Sequence, residues 1–98
     1  MDIEFKYNGI SFVWNSDKAK RNIIKHDGIS FEQASTAFFD PFLKTIDASR
    51  NNEQREAIIG MDDKWSILYV VHLQIEDDEI RIVSARKATR QERNNYEN

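Results

Sequence analysis

The chain has no cysteine, one proline, three glycines and two histidines in 98 residues. Without cysteine there is no disulfide scaffold, no thiolate metal site and no thiol nucleophile. Two histidines, His26 and His72, are too few for a histidine-rich metal site. Sparse glycine and proline exclude a linker-rich or repeat-turn architecture. No apolar run approaches the ~20 residues that a spanning helix needs. The start, MDIEFKYNG, has neither the basic stretch nor the apolar stretch of a secretion signal. These absences predict a cytoplasmic protein of a reducing compartment, with no membrane role. What is present is 40% hydrophobic and 32% charged residue content, the balance of one globular domain over residues 1–98.

Charge is unevenly spread. The net charge is −3, which argues against a generic nucleic-acid binder. Yet the last nineteen residues carry Arg81, Arg86, Lys87, Arg90 and Arg93 against Glu92 and Glu97. A second basic cluster is Lys18, Lys20, Arg21 and Lys25. Two cationic segments on an acidic body suggest one local anionic partner. The plainer reading is that each run is a solvated helix face.

Local signals predict the elements in order. Asn8-Gly9 between two strand-like runs predicts an N-terminal hairpin ending near Trp14, because both turn positions favour φ > 0. Asn15 as N-cap and Asp17 in the first turn predict a helix over about 16–26, with Gly28 in the left-handed position beyond it. Ala19, Ile23 and Ile24 would form its apolar side, and Lys18, Asn22, Lys25 and His26 a polar stripe. Ser30 and Gln33 form a capping box for a second helix that buries Phe31, Ala34, Ala37 and Phe38. Asp40-Pro41 stops that helix. Strands follow at 42–47, 54–60, 65–75 and 80–85, the third apolar on both faces and therefore central. Thr89 and Glu92 make a further capping box for a helix over about 90–97. Sequential strands joined by short turns predict an antiparallel sheet and the class α+β.

No strong catalytic motif is present: no phosphate-cradling glycine loop, no His-Glu-x-x-His and no G-x-S-x-G. The acids concentrate in turns such as 76–79, which disfavours two-metal nuclease chemistry. The remaining kit is Lys25, His26, Arg55, Arg81 and Arg86, with His72 and Tyr96 beside them. Metal-free RNA cleavage needs little more: a base for the 2′-OH, an acid for the 5′-oxygen and cations for the charge growing on phosphorus oxygens. Each residue also has a blander use. Lys25 and His26 lie where cations stabilise a helix C-terminus. Arg55 and Arg81, placed in strands, are either salt-bridged or aimed at a ligand on the open face. Arg86 and Lys87 could be a solvated pair, His72 a satisfied core histidine, and Trp14 and Phe31 core anchors.

At these residues the chain resembles the BrnT family, the toxin half of a bacterial type II toxin–antitoxin pair. The resemblance runs from about Phe12 to Tyr96. It rests on Trp14-Asn15-x-x-Lys18-Ala19-x-x-Asn22-x-x-Lys25-His26, then Gly28-Ile29-Ser30-Phe31, Asp40-Pro41, Arg55 ahead of Gly60, and Val71-His72. Its most specific part is Arg81-Ile82-Val83-Ser84-Ala85-Arg86-Lys87-Ala88-Thr89-Arg90, continuing to Glu92, Arg93 and Tyr96. Asp27 departs from the pattern as an insertion between the Lys-His pair and the glycine. The resemblance implies a RelE-like fold, with two N-terminal helices packed on a small antiparallel sheet. It implies a metal-independent ribonuclease that blocks translation and needs no cofactor. Its partner would be a BrnA-type antitoxin with a ribbon-helix-helix domain, which would carry the pair to operator DNA for autorepression. Carried over by position, Lys25, His26, Arg55, Arg81 and Arg86 are the expected active-site residues, with Lys18, Lys87, Arg90 and Tyr96 as RNA contacts. A non-catalytic co-repressor module that binds the antitoxin is the alternative.

Overall fold

The computed structural model describes residues 1–98 as six strands and three α-helices. In chain order they are β1 (Asp2–Tyr7), β2 (Ile10–Asn15), α1 (Ser16–Lys25), α2 (Phe31–Thr36), β3 (Lys44–Asp47), β4 (Glu56–Met61), β5 (Ile67–Glu76), β6 (Glu79–Lys87) and α3 (Arg90–Glu97). A single 3-10 turn, Ala37–Phe39, extends α2. The strands form one sheet in the order β1-β2-β6-β5-β4-β3.

The expected hairpin is there, with φ 49° at Asn8 and 82° at Gly9. Asn15 caps α1, its side chain accepting from the Asp17 and Lys18 amides at 3.0 Å. α3 starts with the full capping box of Thr89 and Glu92. Asp40 is extended, with φ −68° and ψ 119°, as a residue before proline must be.

Three expectations are corrected. The sheet is not wholly antiparallel, because β2 pairs parallel to β6 through Ser11–Val13 and Glu79–Arg81. The helical segment from 16 to 39 and the strands after it return the chain to the free edge of β2, so a long crossover separates the partners, as parallel pairing requires. The second capping box is half made: Ser30 accepts from the Gln33 amide at 3.0 Å, but the Gln33 side chain donates to Asp62 instead, at 2.6 Å. Finally, α1 does not turn Ile23 and Ile24 inward. Ile24 is 86% exposed, while Asn22, assigned to the polar stripe, is buried.

The core lies between the two N-terminal helices, α1 and α2, and one face of the sheet, while α3 packs at the other face beside β4. Phe12 and Trp14 of β2, Phe31 and Ala34 of α2, Leu68 and Val70 of β5, and Ile80, Ile82 and Ala85 of β6 belong to it. Large side chains buried this way stabilise the fold by about 1.5–3 kcal/mol each. Trp14 and Phe31 meet edge to face, with centroids 5.7 Å apart. They are core anchors, as the plainer reading had it. A register shift lies at the centre of the sheet: Val71 pairs with Ser84, but His72 pairs with Ile82. Val83 is the extra residue, and such a bulge re-aims the side chains that follow it. Ile82 and Ala85 therefore both face the core, and Ser84 and Arg86 face the opposite, open side.

Candidate active site

Asn22 positions α1 beside the open face. Strand β2 leaves β6 after Arg81, so the backbone of Ala85 has no strand on that side. The Asn22 amide takes the strand's place: its Nδ2 donates to Ala85 O at 2.8 Å, and its Oδ1 accepts from Ala85 N at 3.1 Å. Nδ2 also donates to Ile29 O at 3.0 Å, tying in the segment after the helix.

That anchoring brings the end of α1 to the sheet. His26 is the C-cap, with its amide bonded to Asn22 O at 2.9 Å. Asp27, not Gly28, takes the left-handed position next to the cap, at φ 54°, and Gly28 follows at φ 78°. The Gly28 amide donates back to Ile23 O at 2.9 Å, the bond that closes a helix in a Schellman turn. The additional residue is thus absorbed within the terminating turn, because a short polar side chain tolerates this region at modest cost.

A cleft of about 330 Å³ opens at this point. His26 lines it from α1, Tyr69 and Val71 from β5, and Ser84 and Arg86 from β6. Ala48, Ser49, Arg50 and Arg55 close it from the connection between β3 and β4. That connection is a tight hairpin: Arg50 and Glu53 exchange backbone bonds of 3.0 and 2.7 Å, and Asn51 and Asn52 have φ 48° and 66°. Positive φ at both central positions is what a type I′ turn requires.

Arg86 is the most constrained side chain of the cleft. Its Nη1 and Nη2 donate to Glu92 Oε1 and Oε2 at 2.8 and 3.0 Å. Nη1 also donates to Lys87 O at 3.2 Å. The guanidinium lies over the Tyr69 ring, 4.2 Å from its centroid. The bond to Glu92 holds the guanidinium above its usual pKa, and the same bond holds the Glu92 carboxyl below its usual value. Both groups therefore keep their charge through the neutral range.

Of the five expected active-site residues, the cleft brings together His26, Arg55 and Arg86. Arg55 lies in the loop ahead of β4 rather than within a strand, and donates to Glu53 at 2.8 Å. Lys25 is exposed in the last turn of α1 and does not line the cleft. Arg81 is elsewhere on β6, donating to Asp2 of β1 at 2.7 Å. Lys18, Lys87 and Arg90 are exposed outside the cleft. Burial, together with the bond its hydroxyl donates to Asp40 Oδ2 at 2.5 Å, pushes the Tyr96 pKa up to about 12. His72 is buried against Phe38, its ring centroid 4.9 Å away. The reading of it as a core histidine fits this environment.

The lining residues Arg50, Ser49, Tyr69 and Ser84 were missed in the sequence. Arg50 carries no side-chain bond to protein, and the Asn-Asn turn signal beside it could have found it. No group of three or more His, Cys, Asp or Glu side chains comes together as metal ligands do.

The sequence model of one family, described as the ribonuclease toxin BrnT of a type II toxin–antitoxin system, matches residues 14–92. The chain belongs to the BrnT family. Among curated proteins nothing matches. Among solved structures, the 1.1 Å crystal structure of the Brucella abortus ribonuclease toxin BrnT is similar at a TM-score of 0.60 and 22% identity. The similarity covers 79% of this chain and 94% of that one. At this identity the likeness speaks for the fold. Membership of BrnT makes the chain a ribonuclease toxin of a type II pair, and such a pair implies an antitoxin partner. The matched span contains His26, Arg55, Arg86 and Glu92, and leaves out β1.

Proposed function

We propose that this cleft binds and cuts single-stranded RNA by attack of the ribose 2′-OH on the adjacent phosphate, with no metal ion required. The observation that carries the reading is the convergence of one imidazole and three guanidinium groups, from His26, Arg50, Arg55 and Arg86, on a single cleft. An imidazole can both take and give a proton, and His26 is the one imidazole lining the cleft, so it is the proton-transfer group for the 2′-OH or the 5′-oxygen. Arginine offers a planar fork that suits phosphoryl oxygens, where negative charge grows in the transition state. Arg86 is the principal contact, Arg55 and Arg50 are further phosphate contacts, and Lys25 adds positive charge beside them. The products are a 2′,3′-cyclic phosphate and a free 5′-OH.

The wider reading follows the family. Cutting RNA blocks translation in the cytoplasm. A BrnA-type antitoxin with a ribbon-helix-helix domain neutralises the toxin, and the pair represses its own operon. A RelE-like architecture, with the two N-terminal helices on one face of the sheet and RNA on the other, belongs to the same proposal.

The test is cleavage of a defined RNA in EDTA, beside the same RNA carrying a 2′-deoxy residue at the cut. The ordinary RNA is cut and the deoxy substrate is not. His26→Ala and Arg86→Ala each lower the rate at least ~100-fold, the scale of losing an acid–base or electrostatic contributor. Cutting of the deoxy substrate would sink the mechanism. Growth unaffected by high-level expression of the parent chain alone would favour the co-repressor reading.

A further inference from the structure

We infer that Glu92 is a positioning residue for cleavage, holding the Arg86 guanidinium in the one orientation that meets the scissile phosphate. The inference rests on the ribonuclease reading of the cleft. A free arginine side chain samples many rotamers, and few of them aim its fork at a given point. Here the fork is fixed from three sides: by both Glu92 carboxylate oxygens, by Lys87 O and by the Tyr69 ring. A guanidinium has five N–H groups. Those bonds occupy both N–H groups of Nη1 and one of Nη2. The Nε–H and the second Nη2–H have no protein acceptor, and together they form a parallel pair matched to two phosphate oxygens.

Glu92 is itself held. Its Oε1 accepts from the Thr89 amide at 2.8 Å, and its own amide donates to Thr89 Oγ1 at 3.2 Å. One carboxylate therefore joins the start of α3 to the cleft's main cation. The far end of the helix is tied as well, by Tyr96 to Asp40 and by Lys44 Nζ to Asn95 O at 2.7 Å. The orientation of Arg86 thus depends on a docked α3.

Charge argues that this arrangement serves orientation and not affinity. A carboxylate bound to the cation weakens the pull on an RNA phosphate. If Arg86 served only to attract RNA, Glu92 would oppose it. If Arg86 must be aimed, the loss of attraction is offset in the transition state, where a misplacement of about 1 Å costs ~100-fold in rate.

Glu92→Gln separates the two roles of this side chain. Glutamine at the same position also completes a capping box, so α3 keeps its start. Its amide group, however, turns a donor toward a guanidinium donor, and the two-point bond is lost. The expected result is a fall in kcat of ~10–100-fold, with KM unchanged or lower and the melting temperature close to that of the parent. In an Arg86→Lys background, where no fork remains to be aimed, Glu92→Gln costs less than ~3-fold more. An unchanged kcat in Glu92→Gln overturns the inference, and so do losses that multiply in the double variant, because Glu92 would then act independently of Arg86. If the parent chain cuts no RNA, both this inference and the ribonuclease reading fall. If the parent cuts and Glu92→Gln cuts as fast, only this inference falls.

Discussion

Asn22 completes the hydrogen bonding of Ala85, sixty-three residues away, with bonds of 2.8 and 3.1 Å that copy one rung of a β-ladder. A helix side chain thus does the work of a missing strand. It is also the reason His26, one turn further on, stands beside Ser84 and Arg86. Asn22→Ala strands a buried N–H and a buried carbonyl at Ala85, and such groups cost about 1–3 kcal/mol when left unmade. Denaturant unfolding is expected to show a loss of that size. Asn22→Asp is expected to lose at least as much, because its carboxylate would face the carbonyls of Ala85 and Ile29. Cleavage should fall in both variants even where they are fully folded. A variant as stable and as active as the parent would show that α1 holds its place without this amide.

Arg81 is a strut in the sheet. It sits five residues before Arg86 on β6, roughly 15 Å along an extended strand, and its guanidinium reaches across β2 to Asp2. Arg81→Ala is expected to leave RNA cleavage within ~3-fold of the parent. It should cost no more than ~1 kcal/mol of stability, because both partners are substantially exposed and such pairs are screened. Asp2→Ala should shift the melting temperature no further than Arg81→Ala does, and the double variant no further than either. A cleavage loss of ~100-fold in Arg81→Ala would return this residue to the active site.

Arg81 and Asn22 mark where the sequence stops being legible. The Asn8-Gly9 turn, the Asn15 cap and the Thr89-Glu92 box were readable because each is decided within four residues. The long crossover, the parallel pairing of β2 and β6, and the ion pair between residues 2 and 81 are set by contacts distant in sequence. Ile23 and Ile24 misled because helical periodicity assumes that the apolar side is the buried one. Here α1 lies along a strand edge, and a polar side chain is what that edge needs. Within the cleft, the basic and imidazole residue types were legible. Which of them converge depends on the bulge at Val83 and the turn at Asn51-Asn52.

His72 gives the fold a pH dependence above the carboxylate range. Burial pushes its imidazole below the usual 6.5, and the Val70 carbonyl and Glu56, which pull the other way, do not cancel it. Above that usual value both the folded and unfolded chains hold it neutral. As the pH falls, the unfolded chain takes up the proton first, so stability present near pH 7.5 is lost on the way to pH 5. The denaturation midpoint of the parent should drop over that interval, and His72→Leu should flatten the drop. An equal drop in the variant would mean that other groups carry it.

Trp65 occupies a backbone region that a bulky side chain rarely accepts, with φ 67°, while 84% of its surface is exposed. The turn around it is dictated by Asp62, whose Oδ1 accepts from the Lys64 and Ser66 amides at 2.9 and 2.8 Å and whose own amide donates to Ser66 O at 2.9 Å. The conformation therefore survives a change at position 65. Asparagine enters the left-handed region more easily, and relief of this strain is worth about 0.5–1 kcal/mol. Trp65→Asn is expected to raise the melting temperature by about 2–8 °C for a chain of this length. The indole borders the groove that holds Phe39 and Met61. A lower melting temperature would mean that its contacts there outweigh the strain of the turn.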